Sequence, residues 1–136
     1  MAQLRTFFDT YADALTQKDT ERVAALFAKE FMATGMGATH STRNDATLRT
    51  QLAQDAQRYR QIGVDAVEVK NYLEAELGSG FWLTKVEWEL LDEDLNTLAI
   101  FDSTYLVDAG GDAPKIVFVI DHNQPERLQD AGLVFD

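Results

Sequence analysis

Cysteine is absent from this 136-residue chain. That excludes a disulfide framework and any thiolate metal site. Histidine is scarce: His40 and His122 are the only two. They lack helical i, i+4 spacing and no carboxylate joins them in a recognisable ligand motif, so the expectation is no metal and no cofactor. Positive charge is also short, with 12 Lys and Arg against 23 Asp and Glu and a net charge of −11. A nucleic-acid partner calls for clustered positive charge, so none is expected. No apolar run approaches the ~18 residues of a membrane span. The opening residues Met1 to Arg5 lack a signal-peptide layout, and the expected location is cytoplasmic. Gly-x-Ser-x-Gly does not occur. Gly35-x-Gly37 and Gly78-x-Gly80 read as turns, because neither leads a strand into a helix as a phosphate loop does. Internal repeats, linkers and low-complexity segments are missing as well.

What is present suits one globular domain over residues 1–136. Hydrophobic residues make up 46% of the chain, too many for a disordered one. The charge is uneven. Residues 1–64 hold 8 basic and 7 acidic groups, whereas residues 65–112 hold 2 basic and 12 acidic ones. Nearly all the excess negative charge therefore lies in the middle third.

Apolar residues at Leu4, Phe7, Phe8, Tyr11 and Leu15 form a single helical stripe. Asp19 is placed to cap a second helix, with Glu21 in its first turn and Val23, Leu26 and Phe27 on its buried side. Phe31 to His40, with Met32, Met36 and two glycines, reads as a short irregular strand and a turn. A third helix is expected from Asp45 to Gln61, its apolar face made by Leu48, Leu52, Ala56 and Tyr59, with Gly63 as its stop.

The hydrophobic period then changes to two. Strands are expected at 64–77, 81–91, 98–107 and 115–122, separated by turns at 78–80, 92–96 and 109–112, as an antiparallel meander. Val67, Val69, Asn71, Leu73, Ala75 and Leu77 alternate onto one face of the first of these strands. Trp82, Thr84, Val86, Trp88 and Leu90 do the same on the second. The last two strands are apolar on both faces. Pro125 suits the first turn of a short C-terminal helix that Gly132 could end. Helices followed by hairpins read as α+β, with three helices packed on one face of a curved antiparallel sheet.

Glu68, Glu74, Glu76, Glu87 and Glu89 crowd the outer face of the first two meander strands, which is expected to stay in water. Phe101, Tyr105, Val117 and Val119 are expected on the outer face of the last two, as the apolar contact of a homodimer.

The opening pattern Phe8-x-x-Tyr11-x-x-Ala14-Leu15-x-x-x-Asp19-x-x-x-Val23-Ala24-Ala25-Leu26-Phe27 resembles the nuclear transport factor 2-like superfamily, including its SnoaL-like members. So does the layout of short strand, third helix and meander ending near Lys115-Ile116-Val117-Phe118. The resemblance implies a cone-shaped domain with a pocket between helices and sheet. It also implies a broad set of functions, from ketosteroid isomerases, dehydratases, polyketide cyclases and epoxide hydrolases to oligomerisation modules. Tyr11 matches the position of an oxyanion-hole tyrosine in the isomerases. Their general-base position falls at Gly35, no carboxylate lies between Phe31 and Asn44, and their second oxyanion donor aligns near Thr104. Ketosteroid isomerisation is therefore not expected.

Candidate chemistry rests on few residues. Tyr11, Asp102 and His122 are the catalytic candidates: a hydrogen-bond donor to a developing oxyanion, and a carboxylate and an imidazole as bases. Asp102 serves only if it shares the inner face with Thr104; on the other face it is solvated or at an interface. His122 has a second reading as a strand-end residue bonded to backbone. Asn71, Trp82, Trp88, Thr104 and His40 are the ligand-contacting candidates. Asn71 also reads as a satisfied core amide, the two tryptophans as core, and His40 as an exposed loop residue. Two functions stay open. One is a pocket protein for a small apolar molecule, with lyase, isomerase or hydrolase chemistry on a cyclic compound. The alternative is a non-catalytic ligand-binding or dimerisation module. If Trp82, Trp88 and Phe27 fill the interior, the second holds.

Overall fold

The computed structural model describes residues 4–35, 37–122, 124 and 127–128. Three helices and six strands follow in the order α1 (Arg5–Thr16), α2 (Thr20–Ala24), β1 (Phe27–Gly35), β2 (Ala38–Arg43), α3 (Ala46–Gln61), β3 (Ala66–Gly78), β4 (Phe81–Leu91), β5 (Thr97–Asp108) and β6 (Lys115–Asp121).

The helix boundaries follow from local chemistry. The Asp19 carboxylate accepts the amide N–H of Arg22, and Asp45 accepts that of Leu48, so each caps a helix start. Helix α1 has no side-chain cap. Its entry is held instead by Glu74 of β3, whose carboxylate accepts the Leu4 amide at 3.1 Å and the Tyr72 hydroxyl at 2.7 Å. Gly63, at φ +86°, takes the left-handed turn that ends α3. The Asn44 side-chain amide donates to the carbonyls of Ala24 and Phe27, which ties the start of α3 to the end of the helical hairpin.

The strands form one sheet in the order β2-β1-β6-β5-β4-β3. The expected meander is β3 to β6. The sheet is mixed rather than wholly antiparallel, because β1 lies parallel to β6, pairing Met32 with Phe118 and Ala33 with Val119. The segment expected to be a short irregular strand is a full hairpin, β1–β2, with Ala33 opposite His40. Met36 lies outside the described residues, as does most of the C-terminal helix expected between Pro125 and Gly132; of that segment Leu128 is described and is buried.

The core lies between the helices and the concave face of the sheet. Phe8 of α1 is fully buried, with its ring 5.6 Å from Tyr72 and 5.1 Å from Tyr105. Thr84, Val86, Trp88 and Leu90 of β4 point into it as the alternation predicts. Two facings differ from expectation. A bulge between Val69 and Asn71 shifts the β3 register by one residue, which sends every later side chain to the opposite face. Tyr72 and Glu74 turn inward, while Leu73 and Leu77 are exposed at 69% and 58%. On β5 the inner set is Ala99, Phe101, Ser103, Tyr105 and Val107, all buried. The pairing of β5 with β4 demands this, since Ser103 faces Val86 and Tyr105 faces Thr84. Phe101 and Tyr105 are thus core residues and not the outer surface expected of them.

Candidate functional site

A cavity of about 390 Å³ opens between the concave face, α1 and α3. Its walls are mostly apolar: Leu52 and Ala56 of α3, Trp88 and Phe101 of the sheet, Val119 of β6, and Leu128. Polar side chains also line it, among them Tyr11, Tyr59, Ser103, Tyr105, Asp121 and Gln124. Asp55 and Arg58 stand exposed at its edge and pair at 3.4 Å. Lys18 also borders it, but its ammonium donates to the carbonyls of Thr16 and Val64.

Register explains how the polar group assembles. Ser103 lies opposite Asp121 and Tyr105 opposite Val119 across the β5–β6 ladder, so all four face the cavity. The Trp88 indole N–H donates to the Tyr105 hydroxyl at 3.1 Å. Gln124 donates its side-chain amide to the Tyr59 hydroxyl at 2.7 Å and its backbone N–H to Asp121 at 3.2 Å. The hydroxyls of Tyr11 and Tyr105 interact, their rings 5.9 Å apart.

These phenols stay protonated across the physiological range. Burial pushes Tyr105 up to about 12, against hydrogen bonds from Ser103, Trp88 and Tyr11 that lower it. Burial raises Tyr59 further, with help from the Asp55 charge, and raises Tyr11 as well. Desolvation also raises the Asp55 carboxyl, while Arg58 opposes that shift. Tyr11 spends its one hydroxyl proton on Tyr105, so of this pair the Tyr105 hydroxyl is the one left to donate to a polar ligand atom.

The candidates drawn from the sequence divide. Tyr11 and Trp88 line the cavity. Asp102, Thr104 and His122 do not. Their side chains lie on the convex face, where Thr104 Oγ1 and His122 Nε2 are 2.6 Å apart and the His122 amide donates to the Asp102 carbonyl. The Tyr11–Asp102–His122 set is split by the sheet, because Asp102 and Thr104 alternate with the inward residues Ser103 and Tyr105. Asn71, displaced by the bulge, is exposed and donates to Glu87 at 2.6 Å. His40 is exposed on β2 and is not a loop residue. Trp82 packs against the core edge outside the cavity. The interior is not filled by Trp82, Trp88 and Phe27; of these Trp88 alone contributes a wall.

Sequence reasoning passed over Asp55, Tyr59, Ser103, Tyr105, Asp121 and Gln124 as site residues. Tyr59 carried a signal, since it ends the apolar stripe of the third helix while bearing a hydroxyl. Asp121 carried another, as an acid in an otherwise apolar last strand. Among the described residues no helix is long and apolar enough to cross a membrane, and no group of three or more His, Asp or Glu side chains is placed to hold a metal ion.

Solved structures with this architecture are numerous. A protein of unknown function with a cystatin-like fold from Nostoc punctiforme superposes with a TM-score of 0.68 at 13% identity, covering 92% of this chain and 91% of that one. A function-unknown protein from Mycobacterium tuberculosis gives 0.66 at 12% identity over 96% and 79%. The beta subunit of benzoate 1,2-dioxygenase from Burkholderia mallei gives 0.63 at 17% identity over 90% and 91%. At such identities the likeness is one of fold. No curated protein matches the sequence. The family of NTF2-like proteins designated DUF6841 matches residues 2–124, nearly the whole chain, and the protein belongs to that family.

Proposed function

We propose that the protein binds a small cyclic molecule with an apolar body and one polar end in the concave cavity. The observation that carries this is the cavity itself: about 390 Å³ of open space with mostly apolar walls and a few hydroxyl, amide and carboxylate groups among them. Lyase, isomerase or hydrolase chemistry on such a ligand would use the Tyr105 hydroxyl, which accepts from Trp88 and Tyr11 and keeps its own proton, as hydrogen-bond donor, with Asp121 as the nearby carboxylate. Asp102 and His122 have no part in that reading, because the sheet separates them from the cavity. The test is binding of a neutral probe, 2-phenylethanol, followed through the Trp88 indole resonance by NMR. A saturable shift of Trp88 that is lost on filling the cavity by Ala56→Trp supports the reading. A Trp88 resonance indifferent to the probe contradicts it.

A second reading, self-association, is favoured by a separate feature. On the convex face Ala75, Leu83, Leu106, Phe118 and Met32 form one apolar row across five strands. Leu83 and Met32 are more than 40% exposed. The row replaces Phe101, Tyr105 and Val119, which face inward. We propose a second copy of the chain as its partner. A dimer by light scattering at tens of micromolar protein supports this, and a monomer there overturns it.

A further inference from the structure

Resting on the binding reading above, we propose that the cavity is sized for a ligand of two fused rings and excludes four-ring compounds.

Three observations lead there. The first is volume. The cavity of about 390 Å³ has room for roughly 13 water-sized groups, at about 30 Å³ for each. Two fused rings with a short polar arm match that number of non-hydrogen atoms. A single ring leaves part of the apolar wall uncovered, and a four-ring skeleton exceeds the space.

The second is that the walls are tied. On the sheet side Trp88, Ser103 and Tyr105 are buried, and the Trp88 indole donates to the Tyr105 hydroxyl at 3.1 Å. Added volume there forces side chains off their rotamers. On the other side α3 is fixed at both ends. The Asn44 amide donates to the carbonyls of Ala24 and Phe27, and Arg49 Nε lies 2.9 and 3.0 Å from the two Glu21 carboxylate oxygens. At the far end the Tyr59 hydroxyl accepts the Gln124 side-chain amide at 2.7 Å.

The third is the rim. On α3 the half-buried Leu52 and Ala56 give an apolar wall, whereas Asp55 and Arg58 at the edge are exposed and charged. An apolar skeleton longer than the cavity has two choices. It covers these charges, which costs their hydration, or it leaves its far rings in water and gains nothing from them. The apolar body of the ligand is therefore bounded at the mouth as well as at the floor.

The experiment compares 2-phenylethanol, 2-(2-naphthyl)ethanol and hydrocortisone, which carry one, two and four fused or single rings respectively. Binding is read from the Trp88 indole N–H resonance, with Trp82 as the control outside the cavity. The two-ring alcohol is expected to bind about tenfold tighter than the one-ring alcohol, from the extra apolar area it buries. Hydrocortisone is expected to bind at least tenfold more weakly than the two-ring alcohol. Ala56→Leu takes volume from the cavity and keeps a good helix former in α3. It is expected to reverse the order of the two alcohols. A two-ring alcohol less than threefold tighter than the one-ring alcohol overturns the size proposal while the binding reading stands. So does hydrocortisone within tenfold of the two-ring alcohol, or a two-ring preference that survives Ala56→Leu. Failure of all three ligands to move Trp88 overturns both. The order in the unmodified protein decides the matter even if the variant does not fold.

Discussion

The indole N–H of Trp88 on β4 donates to the hydroxyl of Tyr105 on β5 at 3.1 Å, and both residues are at least 97% buried. The bond crosses the concave face on the cavity wall, so one contact serves packing and site geometry together. Tyr105→Phe removes the acceptor and strands the indole donor. A buried donor without a partner costs about 1–3 kcal/mol. Urea denaturation is expected to show a loss of that size with an unchanged m-value.

The buried phenols make stability sensitive to alkali. A tyrosine whose folded pKa is raised favours the folded state fully below its unfolded value near 10. The unfolded chain ionises first, so that contribution is lost as pH rises from about 10 through the folded value, which for Tyr105 is about 12. Thermal melts are therefore expected to be flat between pH 7 and 9 and to fall steeply above 10. Tyr59→Phe, which removes one such group, is expected to lessen the slope, and an unchanged slope would count against the burial of Tyr59.

Residues on the convex face are expected to be silent in ligand binding. Asp102→Asn and His122→Ala lie across the sheet from the cavity, and Asn71→Ala lies beyond the bulge. Each is expected to leave the affinity for 2-phenylethanol within twofold, whereas Ala56→Trp abolishes it. A tenfold loss from His122→Ala would show that the ligand reaches the other face.

Leu106→Lys tests the apolar row. Leu106 stands between Leu83 and Phe118 in register and is only half-buried. A charge there is expected to yield monomers by light scattering with little change in folding stability. Persistence of the dimer places the contact elsewhere.

Asp19→Ala is expected to cost about 1 kcal/mol, the typical value of a helix N-cap. The carboxylate accepts the Arg22 amide at 3.2 Å and starts α2. The loss is read as a lower denaturation midpoint.

Much of this architecture was legible in the sequence, and the exceptions share a cause. Asp19, Asp45 and Gly63 mark the helix ends by capping chemistry that needs no tertiary context. The period-two runs and glycine turns mark β3 to β6 closely. Facing was legible only where one side of a strand was polar, as on β4. On β5 both sides are apolar, and the choice between Phe101 and Ile100 as inward residues depends on the pairing with β4, which the turn at 92–96 sets. The bulge after Val69 has no local signature, yet it moves Asn71 out and Tyr72 in. The candidate site suffered most because it is an inner-face property. Tyr11 and Trp88 lay on unambiguous stripes and reach the cavity, whereas Asp102 and His122 lay on an ambiguous strand and do not. Ser103 and Asp121, their immediate neighbours, occupy the place expected of them.

The central claim is that the concave cavity takes an apolar cyclic ligand. It is tested most directly by titrating 2-phenylethanol while following the indole N–H resonances of Trp88, which lines the cavity, and Trp82, which does not. For a ligand of this size an affinity of roughly 1 mM is expected. The account predicts a saturable shift of Trp88, a still Trp82, and no Trp88 shift in Ala56→Trp. A Trp88 resonance that stays in place at saturating ligand, or one that moves equally in the filled variant, would contradict it.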